Sequence, residues 1–300
     1  MGFLITGSNG LLGQKILAQF KCLNVKIIAT SLGDNLNKED SYYIYEPLDI
    51  TNKDEVRRIL HLYKPDVVFN TAAMTDVDLC EDKRSMCDSV NVNAVNYLAD
   101  SCLEIDAHLI HISTDFIFDG KNGPYLEDDV PNPLSYYGKS KLKSEELLYD
   151  HKCRWSILRT IVLFGVADNL SKDNIVLWAK SQLENLNEIS IIDDEFRAPT
   201  LAEDLAEACF LTAQKKAYGI FHICGKDLMS IYDLVVAVAN FYNFDVNLIN
   251  RISSKELNQK AKRPSKTGFI LDKAKRILNF SPRSFNESLE IIEEQLRIKK

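Results

Sequence analysis

Thr6-Gly7-Ser8-Asn9-Gly10-Leu11-Leu12-Gly13 stands between an apolar run, Gly2–Thr6, and a helical pattern, Leu11–Phe20. Three glycines spaced three apart, in a strand-to-helix turn, have a physical reading. Glycine permits the tight turn and positive φ, lets backbone N–H groups approach a pyrophosphate, and lets the helix pack on the strand, while the helix N-terminus favours the anion. The GxxGxxG spacing departs from the GxGxxG fingerprint, but its position predicts that Gly7, Ser8, Asn9, Gly10, Leu11, Leu12 and Gly13 hold a dinucleotide. The alternative is a tight turn with no ligand.

Outward from this turn, short β-branched runs alternate with longer amphipathic ones, the pattern of repeated βαβ units and a parallel sheet. Strands are expected at Gly2–Thr6, Val25–Thr30, Tyr43–Glu46, Val67–Asn70, His108–Ser113 and Ser156–Thr160, with helices at Leu11–Phe20, Lys53–Leu62 and Val92–Leu103 between them. The fold class that follows is α/β: a doubly wound Rossmann sheet with a smaller C-terminal α/β lobe. We expect a dinucleotide-binding part over residues 1–163 and a substrate-binding part over 164–300, with the chain crossing back around 195–222. In this second part the sequence predicts helices near Asn174–Leu186 and Ala202–Lys215 and two more toward the end.

Composition narrows the class. A chain of 300 residues with 46% hydrophobic and 26% charged residues has the makings of an ordinary globular core. Its formal charge of −7 offers no basic excess to neutralise phosphates, so nucleic acid is not an expected partner. Seven scattered cysteines without a CxxC pair argue against a disulfide framework or a zinc site and for reduced thiols in a cytosol. No signal-peptide pattern and no apolar run of transmembrane length is present, so a cytoplasmic location away from membranes is expected.

An NAD-selective site would carry an acidic side chain after the second strand to hold the ribose 2′-hydroxyl. Thr30-Ser31 stands there instead and would not repel a 2′-phosphate, so either NADP or NAD is admissible, with NADPH slightly favoured. Asp49-Ile50 and Ala72-Ala73 fall at the carboxyl edge of the sheet, where ligands of open α/β sheets bind. Asp49 is suited to the adenine amino group or, equally, to helix capping beside Thr51, while the two alanines leave room for the cofactor.

The candidate chemistry lies in Ser113-Thr114-Asp115-Phe116 and Tyr137-Gly138-Lys139-Ser140-Lys141. Tyr137 and Lys141 are four apart, which on a helix puts both on one face, where an ammonium favours the ionised phenol. Such a tyrosine passes a proton to a carbonyl oxygen, and Thr114 holds the same oxygen as charge develops. The alternative for YxxxK is a solvated helix face.

Taken together, the motifs resemble the dTDP-4-dehydrorhamnose reductase family of extended short-chain dehydrogenases. The matching stretches are TGSNGLLG (6–13), NTAAMTDVDLCE (70–81), VNVNAV (90–95), STDFIFDG (113–120), YYGKSKLKSEE (136–146), LRT (158–160), PT with AEDLA (199–206) and RP (263–264). The resemblance implies a Thr114, Tyr137, Lys141 triad, NAD(P)H as reductant, with Tyr137 and Lys141 also touching it, and a nucleotide-linked 4-keto-6-deoxy sugar as substrate. It further implies that Asn91 supports the cofactor and active-site region and that Thr75, Val77 and Phe116 contact the sugar. The only macromolecular partner expected is a second copy of the chain.

Departures from the family pattern concern the sugar. Met74, Ile161 and Val162 stand where the family has tyrosine, serine and tryptophan, and Phe116 where it has tyrosine; the family's DQ-x-G-x-PT reads DEFRAPT (194–200), and the asparagine-serine after RP reads Lys266-Thr267. Hydrogen-bonding sites discriminate substrates more sharply than apolar ones, so these swaps bear on the sugar rather than the hydride chemistry. Phe116 also lacks the acid that a dehydratase needs after Asp115. An epimerase shares the triad, and a non-catalytic nucleotide-binding subunit, similar to the regulatory β subunit of methionine adenosyltransferase, shares the fold.

The remaining features have plain readings. Arg263 suits bidentate phosphate recognition or a surface ion pair. His108 and His111, three apart on a strand, face opposite sides and are expected to pack or hydrogen-bond, not to share a metal. The segment with Asn174 and Trp178 reads as a core-facing helix. Asp76, Asp78, Glu81 and Asp82 could hold a cation or be solvated charges.

Overall fold

A computed structural model describes residues 2–36, 42–170, 173–257 and 259–298. The first half follows β1 Gly2–Thr6, α1 Leu11–Phe20, β2 Lys26–Ser31, β3 Ile44–Pro47, α2 Lys53–Tyr63, β4 Val67–Asn70, α3 Val77–Asp82, α4 Arg84–Asp88, α5 Ala94–Ile105, β5 His108–Thr114, α6 Tyr136–Asp150 and β6 Arg154–Thr160. The second adds β7 Leu163–Phe164, α7 Ile175–Glu184, β8 Ile189–Ile192, β9 Phe196–Arg197, β10 Thr200–Leu201, α8 Ala202–Gln214, β11 Gly219–His222, β12 Met229–Ser230, α9 Ile231–Tyr242, β13 Ile249–Ile252, α10 Asp272–Leu278 and α11 Phe285–Ile298. The six expected strands form within two residues of their sequence positions. The seventh strand of the sheet, β11, and the short α10 were not singled out. Among the described residues three α-helices, where two are expected, follow α8.

The large sheet runs β3-β2-β1-β4-β5-β6-β11, every neighbour parallel. Parallel strands need both faces covered, and β1 supplies both: Phe3 and Ile5 join the core against α1 and α8, while Leu4 joins the core against α2 and α5. On the first face the rings of Phe3, Phe20 and Phe69 lie 4.9–5.6 Å apart. A third core, with Val176, Leu183, Leu234, Val238 and Leu289, joins α7, α9 and α11. Trp178 points away from it and is 37% exposed, so the core-facing stripe of α7 is Val176, Ala179 and Leu183. Asn174 caps that helix, accepting from Leu177 N at 3.3 Å.

From β1 the chain winds one way through β2 and β3 and the other way through β4, β5 and β6. The crevice of such a sheet opens at the carboxyl ends of β1 and β4, where the direction reverses. There Thr6 pairs with Asn70, and Asn70 with His111. One local irregularity lies beside this edge. The expected helix from Val92 is preceded by a π-helical turn, Ser89–Asn93, before α5 begins at Ala94. Such widened turns displace side chains from α-helical register, and this one contains the buried Asn91.

Candidate active site

The three glycines of the turn do different work. Gly7 has φ +67°, and a Cβ there would lie 2.9 Å from Ala72 N. A Cβ on Gly13 would lie 2.4 Å from Gly7 O, so this glycine lets α1 pack on β1. Gly10 has ordinary extended backbone, φ −79°, and its Cβ would meet only Gly7 O, at 3.2 Å. Its free side opens on the cleft. Beside it the buried Ser8 Oγ has no partner among the described residues.

Two adjoining hollows share Gly7, Gly10, Thr71 and Ala73 in their walls. The smaller, about 340 Å³, is bordered by Ser31, Asp49, Ile50 and Ala72. Asp49 Oδ1 accepts from Thr51 N and Oγ1 at 2.9 and 2.7 Å, so it serves the turn before α2 while also bordering the hollow. The larger cleft, about 460 Å³, is lined by Leu11, Leu12, Thr75, Val77, Thr114, Phe116, Tyr137 and Lys141.

A close approach brings Phe116 and Tyr137 together, their rings 5.7 Å apart. Ser135 caps α6, accepting from Gly138 N at 3.2 Å. A Cβ on Gly138 would lie 2.2 Å from Phe116 O, so only glycine lets α6 press against the end of β5. Tyr137 and Thr114 line the same cleft as a result. Burial pushes the phenol of Tyr137 well above its ordinary range, with the Thr114 hydroxyl pulling weakly the other way. Burial thus favours the protonated phenol, against the expectation that a neighbouring ammonium favours the ionised one. Lys141 Nζ is instead 2.7 Å from Ile112 O and 3.0 Å from His111 Nε2, and burial lowers it to about 8.

Asp115, unremarked as a wall residue in the sequence, also lines the cleft. Its carboxylate accepts from Thr114 Oγ1 at 3.2 Å and from Thr267 Oγ1, with Arg197 Nε at 3.8 Å. Burial raises its pKa, opposed by Arg197 and those two hydroxyls. Arg197 is itself buried, bonded to Glu195 at 2.9 Å and to Pro264 O at 2.6 Å, so residues 195–197 and 264–267 close around one carboxylate. The sequence singled out both stretches only as departures from a motif. Val162, expected to bear on the sugar, lines the cleft, and its backbone is a surprise: φ +38° is strained for a β-branched residue, and nothing in its side chain announces it.

Several expected contacts fall elsewhere. Asn9 ties down the segment after β2, donating to Asp34 O at 2.9 Å and accepting from Leu36 N at 3.3 Å. Asn91 is fully engaged behind the cleft: it accepts from Met74 N at 2.8 Å and donates to Met74 O and Ser140 Oγ, both at 3.0 Å. It clamps the loop after β4 onto α6 and has no side-chain group free for a cofactor. Arg263 does not line the cleft; its guanidinium is spent on Asp78 at 2.8 Å and Ala261 O at 3.1 Å. Asp78 is held below the usual carboxylate range by that arginine. The other acids are similarly committed, Asp76 to the cap of α3, Glu81 to Arg84 and Tyr136 N, and Asp82 to Lys260.

The description "RmlD substrate binding domain" covers a family whose model matches residues 1–298. The chain belongs to this family. The dTDP-4-dehydrorhamnose reductase of Aggregatibacter actinomycetemcomitans is 34% identical over 96% of this chain and 97% of its own length. The family's reach is wider than reductases, for the methionine adenosyltransferase 2 subunit beta of Rattus norvegicus is 31% identical over 80% of this chain and 72% of its own. Among solved structures, the dTDP-4-dehydrorhamnose reductase of Bacillus anthracis in complex with NADP is 26% identical and matches with a TM-score of 0.83 over 98% of this chain and 99% of that one. The family shares the Rossmann-like α/β architecture described above.

Proposed function

We propose that this chain is an NADPH-dependent reductase of a nucleotide-linked 4-keto-6-deoxy sugar, of the dTDP-4-dehydrorhamnose reductase type. One observation carries the reading: Thr114, Tyr137 and Lys141 line one cleft that continues, past Gly7 and Gly10, into a second hollow at the sheet's switch point. The glycine turn fits a dinucleotide, since Gly10 offers a face without a Cβ and Ser8 Oγ stands buried and unpartnered beside the α1 N-terminus. Gly7, Gly10, Leu11 and Leu12 would hold its pyrophosphate side, and Ser31, Asp49, Ile50, Ala72 and Ala73 its adenosine side. Bound there, reduced nicotinamide supplies the hydride.

The chain's own residues do the rest. Tyr137, kept protonated by burial, gives its hydroxyl proton to the keto oxygen. Thr114, whose one hydroxyl hydrogen rests on Asp115 Oδ1 at 3.2 Å, turns it to that oxygen as charge develops there. Lys141 supplies a buried positive charge that favours the phenolate left behind. Thr75, Val77 and Phe116 form the sugar wall.

The division into a dinucleotide part, 1–163, and a substrate part, 164–300, with a return near 195–222, belongs to this proposal; β11 beside β6 and α8 against α1 support the return. So do action in the cytoplasm, away from membranes and nucleic acid, and a homodimer as the working form. No helix among the described residues is long and apolar enough to cross a membrane. A second reading, a non-catalytic subunit, is favoured by the likeness to methionine adenosyltransferase 2 subunit beta. The deciding experiment incubates the protein with NADPH and dTDP-4-dehydrorhamnose and follows loss of NADPH absorbance. Turnover supports the reductase; cofactor binding without oxidation by any keto sugar in a panel refutes it.

A further inference from the structure

His108 and His111 part company on β5. His108 Nε2 meets Ser156 Oγ at 2.7 Å, whereas His111 lies directly behind the cleft. His111 Nε2 is 3.0 Å from Lys141 Nζ and 3.1 Å from Ser144 Oγ, whose hydrogen goes to Lys141 O, and the amide nitrogen Nδ2 of Asn70 faces its Nδ1 at 3.0 Å. Asn70 in turn is 2.7 Å from Thr6 Oγ1. Thr6, Asn70, His111, Lys141 and Ser144 are all buried, so these polar groups depend on one another and on nearby backbone such as Ile112 O and Lys141 O for partners.

An ammonium has three hydrogens in a tetrahedral array. Lys141 spends two of them backwards, on Ile112 O at 2.7 Å and on His111 Nε2, and one is left for the cleft that Lys141 lines. A neutral imidazole accepts at Nε2 only when its hydrogen is on Nδ1. Nδ1–H then requires an acceptor from Asn70. The amide provides Oδ1 by turning end for end, and the Thr6 hydroxyl, a donor or an acceptor as required, serves either orientation. With the hydrogen on Nε2 instead, the ring donates to Ser144 Oγ or to a neutral Lys141 amine, and Asn70 Nδ2 donates to Nδ1. The charge on Lys141 and the tautomer of His111 are thereby tied together.

We propose that His111 is a positioning residue of this site: carrying its hydrogen on Nδ1, it accepts from the Lys141 ammonium and, with Ile112 O, aims the remaining N–H into the cleft, while Asn70 and Thr6 accommodate the tautomer this requires. The inference rests on the reductase reading for its catalytic meaning, not for its geometry. Burial and the nearby Lys141 hold His111 far below its ordinary range, so the ring stays neutral while Lys141, lowered to about 8, changes charge. The other ionisable groups facing Lys141 are Glu145 on α6 and Cys87 on α4, while Tyr137, on the same cleft wall, faces Asp115, Cys80 on α3 and Cys87. Glu145 is committed to Arg159 and Asp115 to Thr114 and Thr267, which leaves His111 as the acceptor for Lys141 besides Ile112 O.

Removing that acceptor disfavours the ammonium, so Lys141 loses its proton at lower pH. The test is NMR of ligand-free protein with lysine labelled at Cε, Lys141→Met assigning the resonance. In His111→Leu the Lys141 midpoint is expected to fall by about one pH unit; in His111→Gln, whose amide oxygen still accepts, it returns toward the parent value. The alkaline limb of kcat moves with it while KM for the sugar stays. Nitrogen-labelled histidine NMR of the unaltered protein gives a reading that needs no variant: the Nδ1–H tautomer below the Lys141 midpoint and Nε2–H above it. An unmoved Lys141 midpoint in folded His111→Leu, or an Nε2–H ring while Lys141 is charged, overturns the proposal. A moving midpoint without sugar turnover counts against the reductase reading alone.

Discussion

Glu145 on α6 and Arg159 on β6 meet at 2.7 Å with both side chains closed to solvent. Arg159 also donates to Glu127 O at 3.0 Å and to Tyr149 Oη at 3.1 Å, and Glu145 accepts from Ser113 Oγ, so the pair is bonded on every side. It holds the helix that carries Tyr137 and Lys141 in fixed relation to the sheet.

Breaking that pair leaves a buried charge uncompensated. Arg159→Met is expected to cost about 3–5 kcal/mol of folding stability, measured by urea denaturation. A loss under about 1 kcal/mol would mean that water replaces the guanidinium and that the pair is not closed off.

Tyr137→Phe removes the proposed proton donor and little else, since the ring stays packed against Phe116 at 5.7 Å. The turnover number is expected to fall by about 10²–10⁴, with NADPH affinity nearly unchanged in a fluorescence titration. Preserved turnover would point to another donor.

Gly10 and Gly13 separate binding from folding. Gly10→Val is expected to fold, after a small adjustment around Gly7 O, and to lose NADPH binding because its methyls fill the turn's open face. Gly13→Ala puts a carbon against Gly7 O and is expected to melt at markedly lower temperature. Full NADPH affinity in Gly10→Val would move the pyrophosphate away from this turn.

Acid should destabilise the protein before its carboxylates titrate. His108 is lowered to about 4 and His111 and His222 well below 6.5, chiefly by burial. Between the folded and unfolded values the unfolded chain binds more protons, so stability is full above about pH 6.5 and falls as pH drops toward 4. Urea midpoints across this window should decline steadily, and a flat profile would show that these rings are not held neutral.

Much of the site was legible because its signals are local. The glycine turn, the Tyr137–Lys141 spacing and Thr114 at a strand end are patterns within a few residues, and each lines the predicted cleft. Arg263 was left between a phosphate and an ion pair because an arginine reads alike in both, and in the fold it pairs with Asp78. Asn91 and Asn9 were read as cofactor contacts, but their amides are consumed by Met74, Ser140 and the segment at 34–36.

By itself the sequence determined the alternation of strands and helices, the switch-point crevice and the candidate groups at its edge, since hydrophobic period and residue spacing act over one turn of backbone. Only the tertiary structure decided which distant groups meet. Thr267 and Arg197 closing on Asp115, His111 behind Lys141, and β11 beside β6 depend on register and packing between segments tens of residues apart. Side-chain chemistry limits what such a group can bond to, and the fold alone selects the partner.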